Sequence, residues 1–366
     1  MKSPSNGLTD LQVVAIIVAA MAGANMIFLP GFVAEKAGRD GWISILLAGL
    51  LALVAAGLVY ILCQRFPNRT LPEFSILILG KPLGTLVSVG YIIYALFLAG
   101  TTLRVFTDVS KVWTQFWTPA WFFIFFLLLP VVYIVRLGPI PLGRLMEIII
   151  YVSFIVTLFF LLPLGQFNLL NLRPVGQEGL EAVVRAIPET SYSYLGFEVL
   201  LVFFPLILNR HRAARLYLLG ITVVIIFYVG TFLMVIGVMG VEHVQLQVWP
   251  VMAYLGIGTL PVIERIDNLF LFYWTAKIVG LISIQYYAAV TTAASLTDRR
   301  YYSLWTLLLV PVLYAATVLP DRQVEIFEMA RLVGSWGAVF IAALVILLLV
   351  VAVIRGLDEG KEVPER

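Results

Sequence analysis

The sequence predicts an all-α integral membrane protein of ten transmembrane helices, arranged as a 5+5 inverted repeat whose first and sixth helices are broken. Three observations lead there. The 366 residues are 61% hydrophobic and only 12% charged, with a mean hydropathy of +1.01, far from the balance of a soluble globular domain. Ten stretches approach or exceed the roughly 20 mostly apolar residues that cross a bilayer. Two of them are interrupted, the first at Gly23-Ala24-Asn25-Met26-Ile27-Phe28-Leu29-Pro30-Gly31 and the sixth at Ser191-Tyr192-Ser193-Tyr194-Leu195-Gly196-Phe197-Glu198, which is followed by Phe203-Phe204-Pro205. Every backbone N–H and C=O in lipid needs a partner, so a spanning helix breaks only where it lines a cavity or is shielded by protein. Breaks at matching places in two halves point to a transporter-type binding site.

The expected spans are 10–34, 41–64, 84–110, 119–137, 143–164, 188–208, 214–240, 263–295, 301–320 and 333–355. The first apolar segment, Leu11 to Val33, is longer than a signal-peptide core and lacks a small-x-small cleavage site, so it is expected to stay as a span. An even number of spans puts both termini on one side. With the termini inside, the inner segments carry 14 Lys and Arg residues and the outer segments carry 8 (Lys36, Arg39, Lys111, Arg173, Arg185, Arg265, Arg322 and Arg331), the inner total including Lys2 and Arg366. The positive-inside bias therefore predicts cytoplasmic termini in a multi-pass cell-membrane protein.

The chain reads as a single membrane domain, 1–366, with a first repeat at 10–164 and a second at 188–355; five spans per half give the halves opposite topology. The loop 165–187 should hold a short amphipathic helix, Leu180 to Ile187, on the outer surface. Residues 241–262, with Trp249-Pro250 and Leu260-Pro261, would cap the outer mouth. A separate amphipathic piece is expected from Asp321 to Arg331, and a disordered charged tail at 356–366.

At the first break Gly23 can take backbone angles closed to other residues, and Asn25 is a candidate N-cap for a half-helix starting at Met26. Freed N–H groups there, at the positive end of a helix dipole, suit a carboxylate, whereas close helix packing by Gly23 is the plainer alternative. Carbonyls released near Tyr192 and Ser193 could receive an ammonium, so the two breaks together suit a small neutral amino acid. Gly23, Ala24, Asn25, Met26, Tyr192, Ser193 and Gly196 are the candidate ligand-binding residues at the breaks, with space left open at Gly23 and Gly196. Tyr94 and Thr101, on one face of the third span, and Ser283 and Tyr286 in the eighth are further candidates, although each alone is more often a packing residue.

Ionisable residues inside spans are costly and mark functional hypotheses. Arg104 and Asp108, four apart, suit an ion pair along their own helix, and Glu147 can snorkel beside Arg144. Glu198 directly follows the second break and could cap its freed N–H groups or carry a proton; capping is the favoured expectation. Lys277 could supply a fixed cation or pair with Asp108.

Other classes find little support. The net charge of +3 is spread over loops, which leaves no basic patch for nucleic acid. Cys63 is alone and can form no internal disulfide. His211 and His243 fall in loops on opposite sides and no phosphate-binding G-x-x-x-x-G-K-[ST] occurs, so neither an enzyme nor a metal or other cofactor is expected.

The motifs Leu8-Thr9-Asp10-Leu11-Gln12, Ala37-Gly38-Arg39-Asp40-Gly41-Trp42-Ile43, Arg65-Phe66-Pro67-Asn68-Arg69-Thr70-Leu71, Leu79-Gly80-Lys81-Pro82-Leu83-Gly84 and Leu195-Gly196-Phe197-Glu198 with Pro205 span nearly the whole chain. Together they resemble the B-subunit of bacterial spore germinant receptors, a family of the amino acid–polyamine–organocation superfamily. The first break here reads Ala22-Gly23-Ala24-Asn25, where that family leads one to expect a second glycine or threonine. The resemblance implies a LeuT-like fold and a permease-type subunit that recognises a small nutrient, typically an amino acid, in the spore inner membrane. It also implies two partners, an A-subunit and a C-subunit lipoprotein.

Overall fold

The computed structural model describes residues 7–259, 266–320 and 322–361, nearly all of them helical. Expectations for Lys2, Leu260-Pro261, Arg265, Asp321, Arg366 and the opening of the eighth span fall outside the described residues. Helix α1 (Asp10–Met21) begins at a reciprocal cap: Gln12 N–H donates to Thr9 Oγ1 at 3.4 Å and Thr9 N–H to Gln12 Oε1 at 3.2 Å. A 3₁₀ turn (Ala24–Ile27) follows, then α2 (Leu29–Ala37), whose Pro30 sits in the first turn, where a missing N–H costs nothing. Next come α3 (Gly41–Arg65), α4 (Leu71–Leu79), α5 (Lys81–Trp113), α6 (Ala120–Leu137) and α7 (Pro139–Thr157), which a 3₁₀ stretch extends to Gln166.

After α8 (Gly179–Ala186), the second broken segment is a chain of single turns: α9 (Ser191–Tyr194), a 3₁₀ turn Phe197–Val199, α10 (Leu200–Phe203) and another 3₁₀ turn to Leu206. The remainder is α11 (Arg210–Met239), α12 (Val241–Gln245), α13 (Pro250–Ile257), α14 (Ile266–Leu296), α15 (Tyr302–Leu308), α16 (Val310–Val318) and α17 (Gln323–Ile354). Among the described residues, eight helical stretches are long and apolar enough to cross a membrane, and Asp10–Met21 and Phe197–Leu206 are shorter apolar ones. Their outward faces carry Leu51, Val54, Leu86, Phe154, Ile226 and Val339, all exposed, as a lipid-facing surface requires. Helix α14 is the most buried of the eight and packs chiefly on α5.

The face bearing the termini is tied by backbone. Leu8 N–H donates to Leu206 O at 2.7 Å and Leu208 N–H to Leu8 O at 3.2 Å, so the start of α1 and the end of the sixth segment are held together. The expected disorder of the 356–366 tail fails for its described part. Arg69 bonds Glu359 at 2.7 Å and Arg65 lies 3.6 Å from Asp358, because the acidic tail returns to the basic loop after α3. On the opposite face Asp40 accepts from the N–H groups of Gly176 (2.7 Å) and Glu178 (3.1 Å), and Ser44 donates to Val183 O (2.9 Å), which seats α8 on α2 and α3 as the amphipathic spacing requires.

One element lies between the expected spans, and one further expectation needs correcting. The stretch after Arg65-Phe66-Pro67 contains α4, nine residues long and too short to register as a span, which starts where Thr70 N–H donates to Glu73 at 2.8 Å. The piece up to Arg331 is no separate element: α17 runs unbroken from Gln323 to Ile354 because nothing in it stops a helix.

Helix α4 lies against α5 at Gly84, where an added Cβ would stand 2.5 Å from Ile76 Cα. Gly84→Leu should therefore lower thermal stability in detergent by about 1–3 kcal/mol or more, the cost of overpacking. Gly57→Leu, at a position with nothing within 4 Å, should be close to neutral. Equal unfolding temperatures for the two variants would contradict the packing described.

Candidate functional site

The two breaks touch. Gly196 has φ +117°, a conformation that side chains rarely adopt, and an added Cβ would lie 2.3 Å from Ala20 O. Backbone groups released by the breaks are taken up by hydroxyls from neighbouring helices: Tyr228 donates to Met21 O (2.9 Å) and Tyr217 to Phe197 O (2.9 Å), both from α11. Gly196 N–H donates to Glu198 Oε2 at 2.7 Å, while Glu198 Oε1 accepts from the Tyr94 hydroxyl (2.9 Å) and from Gln285 Nε2 (3.5 Å). Glu198 is fully buried, and the backbone N–H it accepts is that of Gly196, the residue before the 3₁₀ turn.

The other candidates separate into those that face the breaks and those turned away. Thr101 on α5 and Ser193 on α9 are buried, with no hydrogen-bond partner for either hydroxyl among the described residues. Their neighbours in sequence, Thr102 and Tyr192, share a hydroxyl–hydroxyl bond of 3.0 Å that joins α5 to α9. Asn25 does not act as an N-cap. Gly23 precedes the 3₁₀ turn without a side-chain bond, and the half-helix proper begins after Phe28. The expected open space is filled as well, because a Cβ on Gly23 would meet Leu281 Cδ1 at 2.8 Å and Asn25 Oδ1 at 2.9 Å. Ser283 bonds its own helix at Val279 O (2.7 Å) and Tyr286 bonds Thr306 O on α15 (2.7 Å), which turns the tyrosine hydroxyl away from the breaks. Ala24 is buried at the first break; Met26 lines a crevice.

That crevice, about 460 Å³, lies among α1, α7, α11 and α14 and holds Lys277 in an otherwise uncharged lining that includes Ala22 and Met26. Lys277 is 6% exposed, 5.9 Å from the centre of the Phe227 ring, and has neither an ion pair nor a hydrogen bond among the described residues. The expected pairing with Asp108 is absent, for Asp108 accepts from Gln323 (3.3 Å) and lines a separate recess with Arg104. Glu147, expected to snorkel beside Arg144, accepts from Gln12 of α1 at 3.0 Å.

Above the breaks, away from the termini, an aromatic cover closes the structure. Phe327 of α17 packs edge-on against Phe28 (5.6 Å) and Phe32 (5.4 Å) and lies 5.4 Å from Trp249, and Phe28 stacks parallel to Tyr192 at 6.5 Å. Arg331 sits over the Phe32 ring at 4.8 Å, 3.2 Å from Glu189 and 3.9 Å from Glu35.

Sequence reasoning missed Gln285, Tyr217 and Tyr228. A signal for Gln285 existed: Lys277, Leu281 and Gln285 recur every four residues, which places all three on one face of α14. That face meets the crevice, Gly23 and Glu198 in turn.

Broken helices in contact, polar groups gathered at the breaks and, among the described residues, eight long apolar helices define a LeuT-like membrane protein of the permease type. The likeness extends to solved structures: MhsT, crystallised in complex with L-phenylalanine, superposes with a TM-score of 0.64 at 15% identity, covering 98% of this chain and 95% of MhsT. The Eremococcus coleocola manganese transporter gives 0.55 at 11%, over 93% of this chain and 78% of that one. The spore germination protein family model matches residues 7–326, and the chain belongs to that family. Spore germination protein YndE of Bacillus subtilis is 32% identical over 356 residues, 96% of this chain and 98% of its own. Spore germination protein B2 of the same organism is 26% identical, over 76% of each chain, and spore germination protein KB 27%, over 79% of this chain and 78% of its own.

Removing the cap discriminates its roles. Glu198→Gln keeps an acceptor for Gly196 N–H and an amide that can donate to Tyr94, so it should retain stability. Glu198→Ala leaves a buried donor unpaired and should lose about 1–3 kcal/mol. Thermal unfolding of both variants is the check, and a glutamine variant as unstable as the alanine one would show that the carboxyl's charge is required.

Proposed function

We propose that this chain is the nutrient-sensing subunit of a spore germinant receptor, which binds a small neutral amino acid where its two broken helices meet and signals germination through partner subunits. The observation that carries this reading is the pair of hydroxyls on Thr101 and Ser193, buried and without a partner among the described residues, each next in sequence to a residue of the Thr102–Tyr192 bond. Buried polar groups without partners are costly, and a zwitterion can satisfy them. The first N–H groups of the 3₁₀ turn Ala24–Ile27 have no partner within that turn and suit its carboxylate. MhsT, of like fold, was crystallised with an amino acid, and the family concerns spore germination.

The same reading includes an A-subunit and a C-subunit lipoprotein as partners, a place in the spore inner membrane, cytoplasmic termini, and repeats at 10–164 and 188–355. The Lys and Arg count supports the orientation. A second reading, a proton-coupled amino acid transporter acting alone, is favoured by one feature: Lys277, a buried ammonium on a crevice that also contacts the first break.

Ligand and site can be tested together. A saturable rise in unfolding temperature with one or a few amino acids identifies the ligand. Thr101→Val and Ser193→Ala remove no existing hydrogen bond, so the unliganded proteins should unfold as wild type does while ligand affinity falls about tenfold or more. Unchanged affinity in both would move the site. Accumulation of the amino acid by proteoliposomes containing this chain alone would favour the transporter.

Orientation has its own check. Cysteine at Glu242 should react with an impermeant thiol reagent applied from outside and cysteine at His211 should not; the reverse pattern would invert the topology.

A further inference from the structure

On the face bearing the termini a cavity of about 590 Å³ opens between the loop after α3, the α6–α7 turn, the end of the sixth segment and the end of α14. Its lining includes Arg136, Arg299, Asn68, Thr70 and Ser295 and contains no carboxylate. The two guanidinium groups are held differently. Arg299 bonds Glu73, outside the lining, at 2.5 Å, whereas Arg136 has no ion pair or hydrogen bond among the described residues. Asn68 is fixed by Arg210, which donates to its Oδ1 at 2.9 Å, so its amide N–H groups remain to donate elsewhere. The Ser295 hydroxyl is buried and has no partner among the described residues.

We propose that this cavity is an anion site that takes a phosphate group. Guanidinium forks, an amide and a hydroxyl are all donors to such an oxyanion, and guanidinium matches phosphate oxygens two at a time. Arg299 is balanced by Glu73, so Arg136 is the cation of the lining that an entering anion would neutralise. The surroundings suit a phospholipid headgroup in particular: Leu137, next in sequence to Arg136, and Tyr133, Tyr301 and Leu304 on the same stretches of helix as the two arginines are exposed, the apolar and aromatic residue types found where acyl chains meet headgroups. Basic pockets between spanning helices recognise phosphorylated headgroups in this way.

The test uses the full chain in detergent, with inorganic phosphate, phosphatidylglycerol and diacylglycerol as probes and chloride to match ionic strength. Phosphate or phosphatidylglycerol should raise the unfolding temperature saturably, and Arg136→Gln should weaken that apparent affinity about tenfold or more. Ser295→Ala, which breaks no bond in the structure, should weaken it as well and serves if the arginine variant folds poorly. An effect of inorganic phosphate marks a free anion as the occupant; an effect of phosphatidylglycerol alone marks the headgroup. No saturable effect of either, an equal effect of diacylglycerol, or affinities unchanged in both variants would overturn the proposal.

Discussion

Two helices break deep in this protein and each break must find hydrogen-bond partners without water. The constraint is severe in lipid, where an unsatisfied backbone group costs several kcal/mol. Here Gly196 brings the second break against Ala20 of the first, closer than any side chain would permit. Tyr228, Tyr217 and Glu198 then take up the groups released. Helices α5, α11 and α14 supply the surrounding groups, and their positions follow from that duty: Tyr94 and Gln285 reach Glu198 from α5 and α14, and both tyrosines that bond break carbonyls come from α11.

The two ends of the central region differ in how they close. Away from the termini, closure rests on aromatic packing around Phe327, each ring pair adding about 0.5–1.5 kcal/mol beyond its burial. Arg331 adds direction more than strength, because its side chain is 47% exposed and such pairs contribute little. On the terminus-bearing face, backbone bonds tie Leu8 to Leu206 and Leu208, yet a cavity remains beside that tie. A ligand reaching the breaks from the aromatic side would have to part Phe28, Tyr192 and Phe327, which sit on three separate segments.

What could be read in the sequence was punctuation. Gly196, at φ +117°, and the prolines after the breaks mark them because no common residue substitutes for that backbone angle or the missing N–H. Gly23 marks the first break for another reason: its angles are ordinary extended ones (φ −102°), contrary to expectation, and it is the close approach of Leu281 that excludes a side chain. Apolar length located the long helices, and family motifs spread along the chain located its relatives. Side-chain direction was less legible. Tyr94 and Tyr286 look alike in sequence, but one meets Glu198 and the other Thr306, a difference set by helix rotation that membrane helices with weak amphipathicity do not encode. Asn25 has the right residue type for a cap, yet a 3₁₀ turn precedes the half-helix and shifts its start past Phe28. Helix α4 escaped because nine residues fall below the length that hydropathy detects.

Glu198 and Lys277 illustrate how two buried ionisable groups can differ in what they are free to do. Glu198 has both carboxyl oxygens engaged, one of them by Gly196 N–H, so a change in its bonding reaches the backbone of the break itself. Lys277 has no hydrogen bond among the described residues to give up and stands on a crevice whose wall includes Ala22 and Met26. Its ammonium can exchange surroundings while the backbone cap stays intact. If this fold couples a proton to movement of the first helix, Lys277 therefore has the geometry to do so at lower structural cost, and Glu198 has the geometry of a fixed support.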